Sequence, residues 1–493
     1  MKQGFDNEKY LSMQSAHIRE RIAQFGGKLY LEFGGKLFDD YHASRVLPGF
    51  QPDSKMRMLQ TLKDDVEIVI AINAGDIEKQ KRRGDLGIPY DEDVLRLIDI
   101  FRSLGLYVGS VVLTQYAHQS VADAFLRRLT ALGVRCYRHY PIAGYPSDVA
   151  HIVSEAGFGR NEYIETSRSL VVVTAPGPGS GKMATCLSQL YHEHQRGVQA
   201  GYAKYETFPI WNLPLTHAVN LAYEAATADL NDVNMIDPFH LEAYGKTTVN
   251  YNRDVEVFPV LRAMFQRIQG SCPYQSPTDM GVNMAGFCIM DDAVCQEASR
   301  REILRRYYTA QVERLQMRGT DETLRKLELV MNKAGVTPAI CPAVQAALDK
   351  AEQTGAPAGA MQLPTGEVVT GRTSDLLGPA SALLLNALKK LGGIDETLDL
   401  ISGQVLEPIC QLKTSHLGDR NPRLHSDEVL IALCISALTN PLAAQAQKQL
   451  IHLRDSEAHF TVVLPAVDAG VYKKLGIRVS CEPKYETNCL YHK

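Results

Sequence analysis

The stretch VVVTAPGPGSGKMATC, residues 171–186, holds the residue types best suited to chemistry in this chain. An apolar run ends in Gly177, Gly179, Ser180, Gly181 and Lys182, with Thr185 one turn into an apparent helix. Glycines let backbone N–H groups turn toward a ligand, a helix N-terminus adds its positive end, and a lysine neutralises phosphate charge. The standard phosphate loop reads G-x-x-x-x-G-K-[S/T]. Here Gly181-Lys182 match its second half, Pro176 stands where the first glycine belongs, and Met183 replaces the hydroxyl that holds Mg²⁺. The spacing therefore predicts a site for ATP or another phosphate-bearing ligand. Mg²⁺ would require a carboxylate from elsewhere, because a thioether is no ligand for that hard cation. The competing reading is an ordinary tight strand-to-helix turn.

Carboxylates for such a role stand in PYQSPTDMGVNMAGFCIMDD, residues 273–292, where Asp279 and Asp291 are candidates for metal ligand or base. Asp291-Asp292 equally suits the start of a helix. Arg372 and Thr373 in TGRTSDLLGPAS are candidates for anion binding, against plain capping by Thr373 or Ser374. His416, Asp419, His425, Asp427 and Glu428 crowd into KTSHLGDRNPRLHSDEV, and His425 could serve a hydrolase there as acid or base. Lys79, Lys81, Arg82 and Arg83, between Asp76 and Asp85, form either a solvated loop or a cover for an anion held at 177–182. Ten cysteines are present with no C-x-x-C, and no H-E-x-x-H, G-x-S-x-G or G-x-G-x-x-G fingerprint occurs.

These residues must be positioned by regular elements. Residues 28–33, 66–74, 106–114, 133–140 and 169–175 read as strands that are apolar on both faces, which points to a parallel sheet. Between them, 91–105 and 120–133 repeat apolar residues at helical spacing and end at glycine. Residues 213–318 read as mainly helical, and the Gly/Ala/Pro-rich stretch 350–367 reads as a boundary. Further on, 381–392 and 426–440 read as helices, Asn440-Pro441 starts another, and 459–465 and 477–483 read as strands. The expected fold class is α/β: a Rossmann-like, mainly parallel sheet with helices on both faces over 1–212, a largely helical region over 213–355, and a smaller α/β domain over 356–493.

The chain is 45% hydrophobic and 22% charged with a formal net charge of −4, which gives no reason to expect nucleic acid or an anionic membrane as partner. The longest apolar stretch, 429–438, is about half of what a bilayer span needs. The N-terminal MKQGFDNEKY lacks the apolar core of a signal peptide, so a cytoplasmic location is expected.

Several long stretches, KLYLEFGGKLFDDYHASRVLPGF (28–50), RRGDLGIPYD (82–91), TAPGPGSGKMATCLSQLYH (174–192), SPTDMGVNMAGF (276–287) and LHSDEVLIAL (424–433), carry a resemblance. By these the chain resembles, over its full length, an uncharacterised bacterial family catalogued as a domain of unknown function (UPF0371, DUF1846-like). The resemblance supports a Rossmann-like N-terminal region with helical and α/β parts behind it, and implies no activity and no catalytic residues. From the residues, the expected function is binding of a nucleotide or phosphorylated metabolite, with phosphoryl or nucleotidyl chemistry stabilised by Lys182. The alternatives are a hydrolase using the C-terminal His/carboxylate cluster and a non-catalytic ligand sensor. The expected partner is a small phosphorylated molecule, and self-association is left open. The loops around Asp279 and Thr373 are expected to share a cleft with Lys182.

Overall fold

The computed structural model describes residues 2–35, 37, 38, 40–84 and 86–487. The chain forms two compact units: Gln3–Tyr223 with Asn231–Gln296, and Glu224–Leu230 with the chain from Glu297 onward. The 213–355 segment expected as a middle domain is thus shared between them.

The first unit is built on strands β1 (Leu29–Phe33), β2 (Val66–Asn73), β3 (Tyr107–Thr114), β4 (Cys136–Arg138), β5 (Leu170–Thr174) and β6 (Gly201–Tyr205). A two-stranded antiparallel sheet of β7 (Asn234–Ile236) and β8 (Val249–Tyr251) follows, and then β9 (Gly281–Val282). Seven strands make one sheet in the order β4-β3-β2-β5-β1-β6-β9, and every neighbouring pair is parallel. All five strands expected from the sequence are present. In β1, β2, β3 and β5 the apolar runs are buried along almost their whole length, as a parallel sheet covered on both faces requires, while the edge strand β4 is half-buried. The expected helices are Tyr90–Ser103 and Ser120–Ala131, and Gly105 and Gly133 just beyond them take the left-handed conformation at φ 74° and 71°.

Behind the sheet region the chain is mainly helical, with Asn252–Gln269, Asp292–Leu315, Asp321–Ala334 and Pro342–Thr354 as the longer helices. The second unit adds a smaller sheet of β10 (Ala358–Gln362), β11 (Val368–Arg372), β12 (Glu457–Phe460) and β13 (Arg478–Cys481), ordered β11-β10-β12-β13. Here β10 is antiparallel to both neighbours, and β12 pairs in parallel with β13. The stretch 350–367 that reads as a boundary instead ends a helix and supplies β10, whose first four residues are buried. Its small residues answer to packing: a Cβ on Gly359 would collide with the Phe460 ring. Among the described residues no helix is long and apolar enough to cross a membrane.

Candidate anion-binding crevice

In a parallel α/β sheet, ligands sit beyond the carboxyl ends of the strands. The 175–181 loop leaves the carboxyl end of β5, a central strand, and enters the helix Lys182–Gln195. Gly179 and Gly181 hold φ of 77° and 82°, a region costly for other residues, and Gly181 is the helix N-cap. Gly177 is fixed by close approach, since a Cβ there would strike the Tyr90 hydroxyl.

The loop's oxygens face the protein. Ser180 Oγ donates to Gly177 O at 2.7 Å, Thr114 Oγ1 to Ser180 O at 2.8 Å, and Asn73 Nδ2 to Gly179 O at 3.3 Å. The N–H groups are left over. Among the described residues none from Gly177 to Ala184 donates to a protein acceptor, and the first to do so is Thr185 N, to Gly181 O at 2.9 Å. A turn with its carbonyls pinned and its N–H groups unspent, opening a long helix, is electropositive without help from side chains.

A small pocket adjoins the first turn of that helix. Its volume is about 40 Å³. Thr114, Tyr140, Tyr145 and Asn161 line it with His139 and Thr185. Thr185 Oγ1 is fully buried there and has no hydrogen-bond partner among the described residues. Burial lowers the His139 pKa to about 3, so the ring is neutral. Its Nε2 lies 3.2 Å from Glu162 O, which can only accept, so Nε2 carries the proton and Nδ1 offers a lone pair.

The other flank of the helix covers a charged row. Tyr30 on β1 donates to Glu193 of this helix at 2.6 Å, so Glu32, two residues on, shares that face. Glu32 is opposite Lys204 of β6 in register and accepts from Tyr202 Oη at 2.8 Å. Burial first, and then Glu32, hold the Cys186 thiol well above its usual pKa against the opposing pull of Lys182, which places both charges around one side chain. Lys204 Nζ contacts Asp254 at 2.5 and 2.6 Å, Glu206 at 2.8 Å and the Tyr251 hydroxyl. Burial pushes the Glu206 pKa up to about 7 with help from Asp254, although Lys204 pulls the other way. Burial alone would lower Lys204, but Asp254 and Glu206 hold its pKa well above the usual value.

Glu32, Lys204, Glu206, Tyr251 and Asp254 were not legible as a site in the sequence. One signal was there: Glu32 interrupts LYLEF and Lys204 interrupts GYAKY, and a charge inside a strand that must be buried calls for partners.

The other candidates are dispersed. Asp279 precedes β9, and its Oδ2 accepts from Gln275 N, Ser276 N and Tyr244 Oη in a capping box. Arg21, from the last turn of the helix that leads into the start of β1, donates to Asp279 O, which puts this residue toward the amino ends of the strands. Asp291 Oδ1 accepts from Val294 N at the start of the helix Asp292–Leu315. Lys81 pairs with Asp76 at 3.4 Å and lies 5.2 Å from the ring of Tyr90, the residue packed against Gly177. Arg82 donates to Gly87 O and Arg83 pairs with Asp93, while Asp85 lies outside the described residues.

Arg372, Thr373 and His425 belong to the second unit. Arg372 Nη1 donates to Thr373 O, and Thr373 Oγ1 is buried without a partner. Ser374 Oγ accepts from Leu377 N, a local turn bond. His425 Nδ1 meets a residue from outside its own segment. That atom lies 3.0 Å from Asp468, which raises the pKa of His425, and Asp468 also accepts from Ser426 N and Oγ. Glu428 accepts from His425 N and Lys413. Among the described residues no group of three or more His, Cys, Asp or Glu is arranged to hold a metal ion.

Comparison with known proteins bears on the whole chain. A family model described as "Domain of unknown function DUF1846, N-terminal" matches residues 3–335, and "Domain of unknown function DUF1846, C-terminal" matches 340–491. The chain is 59% identical over 492 residues to a UPF0371 protein of Streptococcus thermophilus (strain CNRZ 1066), covering 100% of both. It is 58% identical over 492 residues to one of Streptococcus pneumoniae (strain JJA), again covering 100% of both. To one of Streptococcus pyogenes serotype M5 it is 59% identical over 489 residues, covering 99% of each. The chain therefore belongs to the UPF0371 or DUF1846 family of proteins of unknown function.

Proposed function

We propose that this protein binds a small phosphorylated molecule, a nucleotide or phosphometabolite, with a phosphate on the Gly177–Lys182 loop and the first turn of its helix. The observation that carries this reading is the set of N–H groups at Gly177 and from Gly179 to Ala184 that meet no acceptor among the described residues, in a loop whose Gly177, Gly179 and Ser180 carbonyls are already bonded. Lys182 supplies the charge, and Lys81, Tyr90 and Gly177 form one wall. The unpartnered hydroxyl of Thr185 gives the ligand a further polar contact. Phosphoryl or nucleotidyl chemistry fits such a loop, which stabilises charge where it develops on the transferred group. Met183 separates it from the standard Mg²⁺-nucleotide sites. Among the described residues no helix is long and apolar enough to cross a membrane, and the described cysteines are free.

Removing the cation beside a bound phosphate costs roughly 2–5 kcal/mol, or ~30- to 4,000-fold in affinity. Lys182→Ala should lose binding of phosphate, pyrophosphate and ATP by that factor in a titration while unfolding within about 1 kcal/mol of wild type. Wild-type affinity in Lys182→Ala for every one of these probes would make the loop a structural turn. Turnover separates an enzyme from a sensor. A hydrolase built on His425 is the second reading, favoured by its 3.0 Å contact with Asp468, an acid–base geometry. It requires an activity abolished by His425→Ala and untouched by Lys182→Ala.

A further inference from the structure

The charge count around Lys204 is out of balance. One ammonium is enclosed by Asp254, Glu206 and the neighbouring Glu32, and all three acids are at least partly buried. A structural ion pair needs one acid. Desolvating surplus carboxylates is costly, so the cluster is favoured when one of them keeps its proton. Geometry identifies which. Asp254 receives two short contacts from Lys204, and Glu32 accepts from Tyr202. Glu206 is met only at Oε1, by Lys204 at 2.8 Å and by Tyr251 Oη at 3.2 Å. Its Oε2 has no partner among the described residues, and the side chain is 14% exposed.

Position supplies the second argument. Glu206 follows directly on β6, so it stands beyond the carboxyl end of a strand, as the Gly177–Lys182 loop does. One strand, β1, lies between β6 and β5 in the sheet. The helix begun by Lys182 covers the face that carries Glu32 and Lys204. The helix Asn252–Gln269 brings Asp254 in its first turn to the same spot, with Tyr251 just before it.

We propose that Glu206 is the acid–base group of the crevice, serving a phosphorylated substrate that carries a hydroxyl or amine. The inference rests on the phosphate reading of the loop. In the forward step the Oε2–H bond breaks and the proton forms a new O–H or N–H bond with a lone pair on the substrate oxygen or nitrogen, and the electron pair stays on Oε2. Glu206 regains a proton from substrate or water afterwards. Lys204 and Tyr251 hold Oε1, and Oε2 is left without a partner among the described residues. Glu32, Tyr202 and Tyr223 belong to the same network of titratable groups, and Asp232 and Arg253 reach it through Tyr223.

An anion on the loop must then favour protonated Glu206, since two negative charges are brought toward each other. Sulfate is the probe, because it does not titrate near neutrality. Added to the unbuffered full-length chain at neutral pH, sulfate should bind wild type with uptake of a fraction of a proton per site. An infrared difference spectrum of the same pair of states should gain a protonated-carboxyl band. Glu206→Gln should bind sulfate with no uptake and no band, and Lys182→Ala should bind at least ~30-fold more weakly. Sulfate binding without uptake in wild type, or uptake that survives in Glu206→Gln, overturns the role of Glu206 and leaves the loop reading standing. No sulfate binding by wild type overturns the loop reading and this inference with it. The infrared measurement on wild type decides the matter if Glu206→Gln does not fold.

Discussion

Two buried charge clusters, one in each unit, look alike by composition and differ in how their oxygens are used. Around Asp468 in the second unit the partners are matched. Asp468 accepts from His425, Ser426 N and Ser426 Oγ, and Glu428 from His425 N and Lys413. Two acids meet two basic side chains, and the bonds tie the start of the helix Ser426–Ser436 to that of Ala466–Lys474. Among the described residues around Lys204 in the first unit, three acids share one base, and Oε2 of Glu206 has no partner. A matched cluster holds elements together. An unmatched one has capacity to exchange protons, and folding stability bears its cost.

The largest expected difference lies in removal of an acid. Asp468→Ala leaves His425 and two Ser426 donors without an acceptor in a buried setting and should destabilise the chain by about 3–5 kcal/mol, read by denaturant unfolding. Glu206→Gln should cost far less and could even stabilise, since it removes a surplus charge. Equal losses from the two substitutions would break the comparison.

Acidity gives the next contrast. Glu206 has its folded pKa raised to about 7, so the native state binds more protons than the unfolded one from the ordinary carboxylate range up to that pH. Its contribution is present at low pH and lost as pH rises through about 7, on the order of 3 kcal/mol, and Glu206→Gln should flatten that slope in thermal unfolding. Asp468 titrates in the opposite sense. Burial would raise its pKa, yet the bonds from His425 and Ser426 hold it below the usual carboxylate range, so its contribution exists above that range and is lost on acidification.

Smaller effects sharpen the picture at the loop. Gly177→Ala would push against the Tyr90 hydroxyl and should cost about 1–3 kcal/mol in stability, with weaker anion binding if the loop shifts. Thr185→Val keeps the shape and removes a buried hydroxyl with no partner. Stability should stay within about 1 kcal/mol of wild type or rise, while affinity for a ligand that uses the hydroxyl falls by up to about tenfold.

The sheet and the glycine loop were legible because they are local. Five apolar runs announce five strands, and GPGSGK announces a turn whatever the rest of the chain does. The Lys204 cluster was not, because its members come from β1, β6, β8 and a helix, and only strand order 5-1-6 makes neighbours of residues 32, 204 and 254. Asp468 escaped for the same reason: it stands 43 residues after His425, while the crowded 413–429 segment drew attention to acids that cap helices or pair with Lys413. β10 was misread because small residues packed under Phe460 look like a flexible stretch in composition.

The place of β5 in the sheet has a consequence for synthesis. β1 pairs only with β5 and β6, and β2 waits for β5 on one side. As the chain leaves the ribosome, the β2-β3-β4 half can assemble while β1 has no strand to join. LYLEF and one edge of VEIVIAIN therefore stay open until residue 174 has emerged, and open apolar edges invite pairing between nascent chains. Insertion of β5 closes both edges at once, and the next residues to appear are the glycines of the loop. Translation slowed before residue 170 should therefore favour aggregation, and slowing after residue 205 should not.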